Sequence, residues 1–112
     1  MTRKAVLLSL LMLAASAPAL AYPAKWCGRY ARQHLVDRDP GPDYDLACNW
    51  LNYGSSTYAR QGAMVVWCTR RHHHVGKITG PCNGDRCVVT SGNDGGAVRT
   101  RERSVAGASF RM

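Results

Sequence analysis

All five cysteines of this chain, Cys27, Cys48, Cys68, Cys82 and Cys87, lie behind an N-terminal stretch that has the form of an export signal. Arg3 and Lys4 give it a charged start, residues 5–15 are apolar but for Ser9, and Ala19-Leu20-Ala21 supplies a small-x-small cleavage pattern. The apolar run is shorter than the roughly 20 residues a membrane span needs. Residues 1–21 therefore read as a signal peptide and residues 22–112 as one domain of 91 residues. The expected location is a periplasm or the extracellular space, without stable membrane insertion. So short a chain buries a limited core and commonly needs covalent staples, and export carries its thiols to where disulfides persist. An odd count leaves one thiol unpaired unless two copies join through it. Cys82 and Cys87 flank a Gly-Asp turn and are readily closed. If Cys27 is the free thiol, Cys48 with Cys68 follows by elimination.

Charge narrows the partners. The chain carries a net charge of +8, and without Arg3 and Lys4 the balance is 13 Lys/Arg against 7 Asp/Glu. A basic exported protein is drawn to anionic surfaces, among them cell-wall polymers and lipid headgroups. The basic and aromatic interleaving of a nucleic-acid binder is missing, so nucleic acid is not expected as a partner.

The pattern of apolar residues changes midway. Trp26, Tyr30, Ala31, Leu35 and Val36 recur at helical spacing, with Arg29, Arg32 and Gln33 free to point outward. Residues 37–45 hold Pro40, Gly41 and Pro42 and read as a loop. A second short helix is expected over residues 46–53, with Asp45 as N-cap and Gly54 as the stop. From Ala63 the character is β. Strands are expected over residues 63–69, 74–79, 87–91 and 97–101, with a last edge strand at 109–111. Turns fall at 70–72, 80–86 and 92–96. Helices first and strands afterwards predict an α+β domain, its N-terminal helices packed on a small antiparallel sheet.

Three polar elements stand out against this scaffold. Cys27 opens the first helix, where unpaired N–H groups and the helix dipole favour a thiolate. Taken by position alone, Cys27 is as readily a disulfide partner. His74, at the start of a strand, can serve as base if the fold brings it to Cys27. The neighbouring His72 and His73 raise the alternative of a metal site with Cys68. Consecutive residues of a strand face opposite sides, however, so the three cannot converge on one ion. Asn93, in Ser-Gly-Asn-Asp-Gly-Gly, offers a carbonyl to orient an imidazole. The same six residues also read as a hairpin turn, and Asp94 is the alternative orienting group. Trp26, Trp50, Tyr53 and Trp67 are the aromatics available to line a substrate groove or to fill the core.

The ordered series Trp-Cys-Gly-Arg-Tyr, Asn-Trp-Leu-Asn-Tyr-Gly, Gly-Ala-Met-Val-Val-Trp, His-His-Val-Gly-Lys-Ile-Thr-Gly and Val-Val-Thr-Ser-Gly-Asn-Asp resembles the NlpC/P60 and CHAP group of papain-like cell-wall hydrolases. The resemblance runs from Trp26 to Phe110 and is to the small, single-domain bacterial and phage forms. It implies a papain-like core and hydrolysis of amide bonds in peptidoglycan peptides by a monomer. It places the nucleophile on Cys27, the base on His74 and the third polar residue on Asn93; of the aromatics, Trp26, Trp50 and Tyr53 are the ones expected against the substrate. No metal or organic cofactor is implied. The chain departs from the group in its small size, in Arg29 and Arg32 on the first helix, and in its extra cysteines. Two other readings share the scaffold: an inactive envelope protein that binds wall fragments, and a secreted effector or toxin acting on another amide.

Overall fold

A computed structural model describes residues 25–112 of the chain, and the expected signal peptide, residues 1–21, lies outside them. The domain is α+β. Helix α1 (Cys27–Tyr30) runs into a wider helical turn at Ala31–Leu35, and two 3₁₀ segments follow at Pro42–Asp45 and Ala47–Asn52. Five strands complete it: β1 (Met64–Cys68), β2 (His73–Asn83), β3 (Arg86–Asp94), β4 (Ala97–Ser104) and β5 (Ser109–Arg111). They form one sheet in the order β4-β3-β2-β1-β5, every neighbouring pair antiparallel. Among the described residues no helix is long and apolar enough to cross a membrane.

The valine-rich β1 sits near the middle of the sheet and is buried on both faces. Met64 and Val66 join Val75 of β2 against Cys27, Ala31, Leu35, Ala47 and Trp50 of the helical segments. On the other face Val65 and Trp67 pack with Ile78, Cys87, Val89 and Val105. Alternation along the strands thus sorts two cores, one on each side. The two disulfides form as the spacing suggests, Cys48–Cys68 and Cys82–Cys87, and Cys27 is the free thiol. The first fastens the second 3₁₀ segment to the end of β1.

Three local expectations are corrected. The second helix is a 3₁₀ segment starting at Ala47, and Asp45 does not cap it. Its carboxylate takes Arg29 Nη2 at 3.1 Å and Arg32 Nε at 2.6 Å instead. Two charge-assisted bonds outweigh one bond to a backbone N–H, and they turn both arginines inward against the prediction. The turn expected over 80–86 shrinks to Gly84-Asp85, because β2 continues to Asn83 and Cys82 pairs with Cys87 across the ladder. Pro81 lies in the irregular stretch between Ile78 and Cys82, where a residue without an N–H is tolerated. The turn expected over 92–96 likewise shrinks to Gly95-Gly96, with Asn93 and Asp94 still in β3.

Candidate active site

The ladder between β2 and β3 ends at Lys77/Thr90, and α1 enters the gap beyond it. Gly92 makes the entry possible. A Cβ there would stand 2.6 Å from Tyr30 Cβ and 2.8 Å from the Trp26 ring, closer than real contacts allow. The backbone N–H groups of Val75, Gly28 and Cys27 lie about the Cys27 sulfur and favour negative charge there. Cys27 is thereby held in a nest of main-chain donors, 4% exposed. Burial outweighs those donors and pushes the thiol above its ordinary pKa. The resting sulfur is a thiol.

His74 stands opposite Trp67 in the register of β1 and β2. Its neighbour Val75 points into the helix-side core, so the imidazole projects from the other face. There His74 Nε2 lies 2.9 Å from Ser91 Oγ, with His74 7% exposed and Ser91 wholly buried. Ser91 shares that face with Val89, two residues earlier. The ring also packs on Trp67 at 5.7 Å and on His72 at 5.9 Å between centroids. The Arg103 guanidinium lies 4.3 Å from the Trp67 ring centroid. Burial first, then the positive charge of Arg103 and the neighbouring His72, drives the His74 pKa down to about 4; Asp94 opposes them. His74 is therefore neutral at neutral pH and able to accept a proton.

At the frayed end of the ladder one cavity reaches residues from both faces of the sheet, Cys27 from the helix side and His74 from the other. Cys27, His74 and Asn93 all line one cavity of about 360 Å³. Its remaining wall is basic, made by Lys25, Arg70, Arg71, His72 and His73. The imidazole is also hydrogen-bonded to Ser91, two residues before Asn93. Asn93 sits in the cavity wall with a left-handed backbone, φ 51°. Asp94, the alternative orienting group, is engaged by Arg101 at 2.7 and 2.8 Å and by Arg103 at 3.7 Å.

The aromatic residues divide. Trp26 packs edge-on against Tyr30 and against Gly92, next to the cavity. Trp50 has no exposed surface, and its indole N–H is bonded to the Tyr44 carbonyl at 2.8 Å. It is a core residue and cannot touch a substrate, which corrects its assignment. Tyr53 borders a different cavity, of about 270 Å³, together with Leu35, Met64 and Lys77. The donor atoms of Cys48, Cys68 and His73 lie within 4.8 Å of one another, but the two sulfurs are joined as a disulfide.

Ser91 and Arg103 around the imidazole were not singled out as site residues by the sequence, and Trp67 was named only as a groove or core aromatic. Only the period of two from Val89 marked Ser91 as inward-facing. No family model, curated protein or solved structure matches this chain.

Proposed function

We propose that this protein is an exported cysteine hydrolase with a papain-like arrangement, cleaving amide bonds in peptidoglycan peptides. The observation that carries the reading is the position of the single free thiol. Of five cysteines, the one left out of disulfides opens a helix and shares a cavity with a buried, neutral histidine. In this mechanism Cys27 Sγ attacks the amide carbonyl carbon while its proton passes to His74 across the cavity that both residues line. The C–N bond then breaks as His74 returns the proton to the leaving amine. Water, deprotonated by the same imidazole, hydrolyses the thioester and frees the thiol. Because the resting pair is neutral, proton transfer accompanies attack rather than preceding it. Ser91 holds Nε2, leaving Nδ1 for the proton relay. The N–H groups around the sulfur receive the charge that develops on oxygen. Asn93, in the cavity wall, binds the substrate amide. The chemistry uses only side chains and main chain of this molecule.

A second reading, a wall-fragment binder on the same scaffold, is favoured by one observation: Cys27 is buried and its thiol pKa is raised. The two readings separate in one experiment. Purified muropeptides are incubated with wild type and Cys27→Ala and analysed by mass spectrometry. Cleavage products from wild type alone support the hydrolase. Unchanged muropeptides in both, with binding retained, support the binder.

A further inference from the structure

The wall of the Cys27 cavity contains Lys25, Arg70, Arg71 and two histidines besides His74, and no carboxylate. The chain has acids to spare, but they are placed elsewhere. Asp39 and Glu102 are tied to arginines elsewhere, and the two acids nearest the wall, Asp45 and Asp94, are each engaged by two arginines that do not line it. Among the described residues Lys25, Arg70 and Arg71 form no ion pair with any of them. Crowding unneutralised cations around one small cavity costs free energy in the empty protein, and an anionic ligand recovers it.

The ledge that carries Arg70 and Arg71 is a hydrogen-bonded turn. The Thr69 N–H donates to the His72 carbonyl at 2.9 Å, and the His72 N–H donates to Thr69 Oγ1 at 3.0 Å. At its base Cys68 is stapled to Cys48. Two guanidinium groups on a closed turn suit the planar fork of a carboxylate better than lysines would. A cavity of about 360 Å³ is at the small end of ligand pockets and takes a di- or tripeptide rather than a polymer.

We infer that the site selects short peptides bearing a free carboxylate beside the scissile amide, with Arg70 and Arg71 as the specificity-determining residues. This rests on the hydrolase reading for the word scissile, but the carboxylate preference is measurable without turnover.

The test titrates Cys27→Ser protein with acetylated Ala-Glu-Lys and with the same peptide amidated at both carboxylates, by calorimetry at fixed ionic strength. The acid form is expected to bind at least about tenfold tighter, a difference of about 1.4 kcal/mol. That gap should close in Arg70→Ala/Arg71→Ala and persist in Arg38→Ala/Arg60→Ala, a charge-matched control outside the cavity. Arg70 and Arg71 are exposed on a turn held by other residues, and unchanged melting temperatures verify that the variants fold. Equal affinity for the two peptides, or a gap that survives the double substitution, overturns the inference. So does displacement by inorganic phosphate as effective as by the peptide, which would make the ledge a general anion patch. Parallel assays of wild type separate the two claims. Equal cleavage of acid and amide forms keeps the hydrolase and removes the selectivity, whereas carboxylate-dependent binding without cleavage does the reverse.

Discussion

His74 Nε2 is hydrogen-bonded to Ser91 Oγ at 2.9 Å across the end of the β2–β3 ladder, with both side chains out of solvent. This bond holds the imidazole from within β3, two residues before Asn93. Ser91→Ala should therefore lower kcat with little change in KM. It should also cost about 1–3 kcal/mol of stability, because a buried ring nitrogen loses its partner. Urea unfolding and steady-state kinetics on the same preparation check both. His74→Ala should lose on the order of 100-fold or more in rate, while His73→Ala should cost little.

Asn93 is expected to behave differently. Its φ of 51° is a conformation glycine adopts without strain, so Asn93→Gly should melt near wild type. The lost carboxamide should appear as a KM raised by about tenfold with kcat nearly kept. A fall in kcat at constant KM would instead return the orienting role to Asn93.

Stability should depend on pH through His74. Its folded pKa of about 4 lies below the ordinary histidine value of 6.5, so between these the unfolded chain binds the extra proton. Stability then rises with pH from about 4 to 6.5 and levels off above. Two and a half pH units correspond to roughly 3 kcal/mol. Urea midpoints of wild type should fall between pH 7 and pH 4.5, and His74→Gln should flatten that slope. A slope unchanged by the substitution would show the histidine to be solvated.

Thiol reactivity should match the buried sulfur. Native protein should take up one equivalent of iodoacetamide, on Cys27, slowly at pH 7 and faster above pH 9, because the thiol pKa is raised. Rapid labelling at pH 6 would mean a thiolate–imidazolium pair that the buried environment does not favour.

The disulfides should differ in weight. Cys48–Cys68 spans 20 residues and Cys82–Cys87 spans 5. Loop-closure entropy alone assigns about 3 kcal/mol to the first and about 2 to the second. Paired Cys→Ala variants, compared by chemical unfolding, measure both.

What the sequence revealed follows from how local each signal is. The dense valine run of β1 is a local signal of a strand buried on both faces, and it and the short β5 are found where expected. The helical face of residues 26–36 is likewise legible, although Arg29 and Arg32 turn inward. Their partner Asp45 lies 13 to 16 residues away, and no periodicity encodes that distance. Ser91 was hidden for a related reason. Its meeting with His74 depends on the register of two strands and on where their ladder stops, which is a property of the assembled sheet. Trp50 was misassigned because an aromatic residue reads alike in a groove and in a core until burial decides.

The cradle of Cys27 is made of backbone. Val75, Gly28 and Cys27 each contribute an N–H and no side chain. A position secured in this way survives substitution of most surrounding residues, provided that α1 still enters the gap past Gly92.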